Sequence, residues 1–373
     1  MPDNKIVRRP ITLILTIIIF VAVVFSLGNT IYSFIQITRS DIFMFENIED
    51  CKKIIEKCKE EAGKRLVGQD ALINDILVAF VAGGHVLLEG VPGLAKTLAV
   101  KTFAEIIGLD FKRIQFTPDL LPADVTGTLI YEQNKGNFSV RKGPIFANVV
   151  LADEVNRSPA KVQSAMLEAM EEHQVTIGEE TYKLPEPFFV LATQNPVEQE
   201  GTYSLPEAEL DRFLMKLVVN YPEADAEVEI IKTCGKAAFV PVNKILSSLD
   251  VKSLRDLADK VVCDDKLVEY IVKILEVTRP NVDKKNKPNT FVAANDITRY
   301  IKMGASPRAG IAILQCAKVT ALFEGRSFVL PEDIKKVAMN VLRHRFVLSY
   351  EAAADNVTSE QIISKILDFV PVP

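Results

Sequence analysis

Short apolar runs alternate with helix-spaced segments between residues 86 and 219. The runs fall at 86–89, 111–116, 148–153, 188–193 and 216–219, and several are apolar at nearly every position. A strand with one wet face alternates polar and apolar residues, whereas a strand covered on both faces need not. The pattern predicts an α/β fold, an αβα sandwich around a five-stranded parallel sheet. Two interruptions read as β-hairpins: 129–141, around Asn134-Lys135-Gly136-Asn137, and 174–183, around Gly178. The strand pattern stops after Tyr221-Pro222. Leu254, Leu257 and Val261, then Leu267, Ile271, Ile274 and Leu275, recur at helical spacing. Residues 66–221 are therefore expected as the sheet-bearing core, and 222–373 as an all-helical domain and tail with a charged loop at 280–288. Ahead of the core, 41–65 reads as a solvated, amphipathic lead-in helix. Another helix is expected over 71–82, after Val67-Gly68-Gln69-Asp70.

The first forty residues differ from the rest. No charged side chain occurs over 10–38, and a bilayer core takes about 20 apolar residues in a helix. Residues 1–40 are expected as a membrane anchor spanning 10–37. Lys5, Arg8 and Arg9 ahead of it favour an inside N-terminus, while Arg39, Lys52, Lys53, Lys57 and Lys59 form a competing positive flank.

Composition narrows the classes. The 373 residues are 48% hydrophobic, enough for a large core or several small ones. A net charge of −5 gives no overall attraction to nucleic acid. His85, His173 and His344 lack metal-ligand spacing and read as structural. Cys51, Cys58, Cys234, Cys263 and Cys316 form no Cys-x-x-Cys pair, which suits a reducing compartment rather than a disulfide framework. Cys51 and Cys58 fall on one helical face, a packing pattern.

The chemistry concentrates at the C-terminal ends of the expected strands, where ligands of such sheets bind. Gly90-Val91-Pro92-Gly93-Leu94-Ala95-Lys96-Thr97 follows the first strand and opens a helix. Backbone N–H groups in such a loop, with the helix dipole, cradle phosphate. Lys96 can reach the outer phosphates, and the Thr97 hydroxyl can ligate Mg²⁺. Alanine stands at 95, where the usual pattern has glycine. Asp153 and Glu154 end a buried strand, and two carboxylates there call for a cation. Asp153 suits a Mg²⁺ shell, and Glu154 can polarise an attacking water. Asn195 brings an amide to the tip of the next strand, within reach of that water or of a γ-phosphate. Arg212 follows Pro206-Glu207-Ala208-Glu209-Leu210-Asp211 and can reach a neighbouring subunit's phosphate. Arg308 sits in the first turn of a helix capped by Ser306-Pro307, where the dipole disfavours a cation, so an anionic partner is expected.

Taken in order, these strings resemble the MoxR family of AAA+ ATPases over residues 45–373. The further matches are Ala152-Asp153-Glu154-Val155-Asn156-Arg157, Leu205 through Phe213, Ser306-Pro307-Arg308-Ala309 and Val341-Leu342-Arg343-His344-Arg345-Phe346. Alanine before the P-loop lysine is common in that family. The resemblance implies ATP hydrolysis with Mg²⁺, a helical lid, and a hexameric ring with ATP at subunit interfaces. It implies that Lys96 binds the β/γ-phosphates, that Thr97 and Asp153 hold Mg²⁺, and that Glu154 is the catalytic base. Asn195 would be the sensor, Arg212 the finger, and Arg308 the lid sensor, within its own subunit or across the interface. Val67, Gly68 and Gln69 would line the adenine, with Gly90 through Thr97 around the phosphates. It also implies chaperone-like remodelling of a protein client, often with a von Willebrand factor A domain partner. An N-terminal anchor departs from the family pattern. The need for ATP places the large domain on the cytoplasmic side, as a single-pass protein of the cell membrane. A ring translocase on nucleic acid, through Lys135, Arg141 and Lys142 near the first hairpin, is the alternative, with a non-hydrolysing nucleotide-gated scaffold as a third reading.

Overall fold

The computed structural model describes residues 48–91, 93–134, 136–195, 203, 205–232, 240–280 and 295–373. The strands are β1 (Val86–Glu89), β2 (Phe111–Gln115), β3 (Gly127–Glu132), β4 (Asn137–Lys142), β5 (Val149–Asp153), β6 (Gln174–Ile177), β7 (Glu180–Lys183), β8 (Phe189–Gln194) and β9 (Met215–Val218). Five of them form the central sheet in the order β2-β5-β8-β1-β9, every pair parallel. The register sets Gln115 beside Asp153 and Glu89 beside Gln194, so the strands finish together along one edge.

Each buried strand divides its side chains between two apolar bodies. Val86, Val149, Leu151, Phe189 and Leu191 enter one core, and Leu87, Val150, Ala152, Val190 and Ala192 the other. Both faces are dry, which is why the runs read as continuous rather than alternating. The first core also takes in the helices Ile48–Gly63, Asp70–Val81 and Lys96–Ile107 and the C-terminal helices. The second holds the helix Ala160–Glu172 and the inner residues of β6, Val175 and Ile177. Both expected hairpins form: β3 pairs antiparallel with β4, and β6 with β7.

Beyond residue 240 the structure is helical, with Ser248–Asp259, Asp265–Thr278, Pro307–Phe323, Pro331–Leu342 and Ser359–Phe369 as its longer members. A small antiparallel pair, Ile301–Met303 with Val347–Leu348, interrupts the expected all-helical pattern. Runs of two and three residues are too short to leave a periodic signature.

Two expectations are corrected. The helix Ile48–Gly63 is not a solvated lead-in, since Cys51, Ile54, Ile55, Cys58 and Ala62 are all buried in the first core. The segment 10–37, expected as a transmembrane helix, lies outside the described residues. Among the described residues no helix is long and apolar enough to cross a membrane. The longest of them, Pro307–Phe323, has 17 residues, short of the roughly 20 that a bilayer core takes. The fold is an αβα core with a helical lid. The described residues supply no transmembrane helix, and they give no support to the single-pass, cytoplasm-facing membrane location drawn from one.

Candidate active site

The loop between β1 and the helix Lys96–Ile107 is shaped by its small residues. A Cβ on Gly90 would lie 2.7 Å from the Val219 carbonyl oxygen, so only glycine lets the two backbones approach this closely. Gly93 has φ +87° and Ala95 φ +55°. Left-handed residues in a loop that opens a helix are the ingredients of an anion-binding concavity. Nothing lies within 4 Å of a Cβ built on Gly93, so the space over the loop is open. Leu94 is buried beneath it and Thr97 is exposed at the helix start. Pro92 lies outside the described residues. Gln69 reaches the loop from the expected adenine segment, its Nε2 donating to the Leu94 carbonyl at 3.3 Å.

Lys96 lies at the centre of the strand ends. Its Nζ donates to the Gly90 carbonyl at 2.5 Å and to the Gln194 carbonyl at 3.4 Å. Burial draws its pKa below the usual lysine range, opposed by the carboxylates of Asp153, Glu154 and Glu89. The ends of two strands, β1 and β5, thus place three carboxylates around one ammonium group. The structure brings together Lys96, Asp153 and Glu154, and Asn195 follows directly on Gln194 as a buried residue.

Asp153 is buried at the tip of β5, and both its oxygens are held. Oδ1 accepts from Thr193 Oγ1 at 2.6 Å, and Oδ2 accepts from Arg113 Nε at 2.9 Å and Nη2 at 2.6 Å. Glu154 is left-handed, with φ +57°, a conformation that costs a non-glycine residue about 1–2 kcal/mol. Its N–H donates to Thr193 Oγ1 at 2.8 Å. Its Oε2 accepts from Gln115 Nε2 at 2.8 Å and pairs with Arg157 Nε at 3.2 Å. The sequence reading gives Thr193, Arg113, Gln115 and Arg157 no role of their own, although Arg157 falls within a matched string. The signal for two of them is the polar pattern of β2: Arg113 and Gln115 are two apart and share one face.

The two expected arginines stand together, on a different group. Arg212 Nε lies 3.1 Å from Glu171 Oε2, and Arg308 Nη2 lies 3.1 Å from Glu171 Oε1. Neither arginine has a hydrogen bond or ion pair to the loop of its own chain among the described residues. The histidines serve the fold. His85 Nδ1 accepts the Val190 N–H at 3.1 Å and Nε2 meets the Met170 carbonyl at 3.0 Å, so the proton sits on Nε2. Burial lowers the His85 pKa to about 4. His344, whose Nε2 meets the Phe213 carbonyl at 3.0 Å, is held well below its ordinary value, again by burial.

The donors fit a magnesium nucleotide. Mg²⁺ keeps several waters and takes one or two protein oxygens plus substrate phosphates, so it needs no protein cage. A hydroxyl at Thr97 and a carboxylate at Asp153, beside an open left-handed loop, supply that set. Asp153 is already held on both oxygens, which suits contact through metal-bound water.

The chain is similar to known proteins. Residues 85–215 match the ATPase family associated with various cellular activities (AAA), and residues 293–366 match the AAA lid domain. The chain is 47% identical over 319 residues to Chaperone MoxR1 of Mycobacterium tuberculosis, covering 86% of this chain and 82% of that protein. It is 43% identical over 326 residues to the uncharacterized protein YeaC of Bacillus subtilis, covering 87% and 97%. The crystal structure of a candidate ATPase from Cytophaga hutchinsonii superposes with a TM-score of 0.79 at 50% identity, over 87% of this chain and 97% of that one.

Proposed function

The chain belongs to the MoxR family of AAA+ ATPases, and from that premise we propose that it hydrolyses ATP to remodel or mature a protein client, as a chaperone-like ring of its own copies. It is an ATPase that uses ATP with Mg²⁺, and AAA+ ATPases generally oligomerise. The observation that carries the reading further is the convergence of Lys96, at the start of its helix and bonded to the ends of β1 and β8, with Asp153 and Glu154 at the end of β5.

In the proposed mechanism Lys96 neutralises the β- and γ-phosphates. Thr97 and Asp153 would hold the metal, which would shield phosphate charge when bound. Glu154, kept at the strand tip by Thr193, orients and polarises the attacking water. Asn195 hydrogen-bonds that water or the γ-phosphate. Val67, Gly68 and Gln69 line the adenine. Gly90 through Ala95, with Val91, Pro92 and Leu94 among them, surround the phosphates. Arg212 is the finger for a neighbouring copy's γ-phosphate. Arg308 shares its carboxylate, which supports a role for Arg308 on the same phosphate, across a subunit interface. We take the ring to be hexameric, and a von Willebrand factor A domain protein to be among its partners, as the family resemblance implies.

The first hairpin offers an apolar contact for a protein client, with Arg141 exposed beside it. Tyr131 and Phe138 are exposed on it with ring centroids 5.2 Å apart. Of the basic residues considered for nucleic acid, Lys135 lies outside the described residues. Lys142 rests over the rings of Phe146 and Tyr182 at 4.9 and 5.4 Å. Phosphate release by the full chain tests the mechanism. Glu154→Gln is expected to bind ATP and to lose turnover by about 10²–10⁴-fold. Unchanged turnover would remove Glu154 as the base, and salt-dependent DNA binding would favour the translocase.

A further inference from the structure

The shared carboxylate of Glu171 joins parts of the chain 137 residues apart. It lies in the last turn of the helix Ala160–Glu172, and Arg308 in the first turn of Pro307–Phe323. Each charge sits at the end of its helix where the dipole opposes it, and each is offset by the other. Arg212 adds a second guanidinium to the same two oxygens.

The backbone carrying Arg212 is fixed on both sides. Asp211 Oδ1 accepts from Arg345 Nε at 2.9 Å, and Oδ2 accepts from Ser306 Oγ at 3.1 Å. The Phe213 carbonyl accepts from Arg345 Nη2 at 2.8 Å, and the Arg345 side chain is only 2% exposed. Ser306 and Arg345 belong to the helical lid, so lid and Arg212 backbone are tied into one buried unit. The tips differ: Arg212, Arg308 and Glu171 side chains are 32%, 46% and 41% exposed. What remains free is the choice of anion for two guanidiniums on a rigid base.

We propose that Glu171 is a built-in counter-anion that occupies Arg212 and Arg308 in a lone subunit and competes with the triphosphate on a second copy of this chain. This rests on the reading of the arginines given above. When copies meet with ATP between them, phosphate oxygens replace the Glu171 oxygens on both guanidiniums. Phosphate carries more charge and offers the same bidentate geometry to arginine. Glu171 thereby sets the subunit concentration at which the site across the interface is completed.

The test uses the full chain and measures phosphate release per subunit against protein concentration, with sedimentation in ATPγS alongside. Glu171→Gln and Glu171→Ala are expected to move the midpoint of both curves to lower protein concentration, by about fivefold for a partly exposed pair. Glu171→Asp, which keeps the charge, is expected to stay near wild type. In sedimentation, which needs no turnover, the shift is expected to vanish when Arg212 and Arg308 are both alanine. A midpoint that stays in place or rises in both Glu171→Gln and Glu171→Ala overturns the proposal. If the doubly substituted arginine variant instead turns over like wild type at saturating protein, the assignment of the arginines fails, a result distinct from failure of the competition.

Discussion

Replacing Thr193 by valine removes one oxygen and keeps the shape of the side chain. That oxygen makes two bonds at the strand tips, donating to Asp153 Oδ1 at 2.6 Å and accepting from the Glu154 N–H at 2.8 Å. Thr193 is 1% exposed and Asp153 8%, so water cannot readily replace it. A hydrogen bond to a buried carboxylate contributes about 1.5–3 kcal/mol, and one between neutral groups about 1. The expected destabilisation is therefore about 3 kcal/mol, a fall in Tm on the order of 4 °C for a compact unit of this size. Catalysis should fall further than stability explains. Glu154 occupies a left-handed conformation that its bond to Thr193 helps to hold, and a carboxylate displaced by about 1 Å can lose about 10²-fold in rate. Urea unfolding gives the stability term, and phosphate release at a temperature where both proteins are folded gives the rate. Thr193→Ser keeps the hydroxyl and should restore most of both. Wild-type turnover in Thr193→Val would refute the view that this oxygen sets the two carboxylates.

Two other outcomes follow from the same geometry. Ala95→Gly should relieve the left-handed strain at φ +55° and raise stability by about 1 kcal/mol, with ATP binding retained; equilibrium unfolding checks it, and a loss of stability would deny the strain. The pKa of His85 is about 4 when folded against 6.5 for the free side chain. Below pH 6.5 the unfolded chain takes up a proton that native His85 refuses. Stability should thus fall as pH drops from 6.5 toward 4, by up to about 3 kcal/mol from this group. His344 acts in the same direction, so Tm measured from pH 7 to 4.5 should fall less steeply, though not become flat, in His85→Gln.

The sheet was legible because strands dry on both faces must be apolar through their interior, and 86–88, 149–152 and 188–192 are. The hairpins were legible from their turn residues. The loop at Gly90 and the carboxylates at 153 and 154 stood out because a buried strand rarely ends in such groups. What sequence did not reveal depends on register and on contacts distant in the chain. Arg113 and Gln115 matter because β2 lies beside β5 with Gln115 level with Asp153, and no local pattern encodes that neighbour. Glu171 matters because the fold brings two arginines to it from 41 and 137 residues away, which no local pattern encodes. The burial of Ile48–Gly63 was hidden by mixed charges on its outer face, although Cys51 and Cys58 marked the inner one.

The first apolar core bears on how this molecule can move. Pro307–Phe323 packs on Ile48–Gly63 and Asp70–Val81, and Ile313, Cys316 and Ala317 within it are fully buried. Swinging the C-terminal helices away as a door would wet these side chains, each large one at about 1.5–3 kcal/mol. The inexpensive displacement is a sideways slip of greased surfaces that never part.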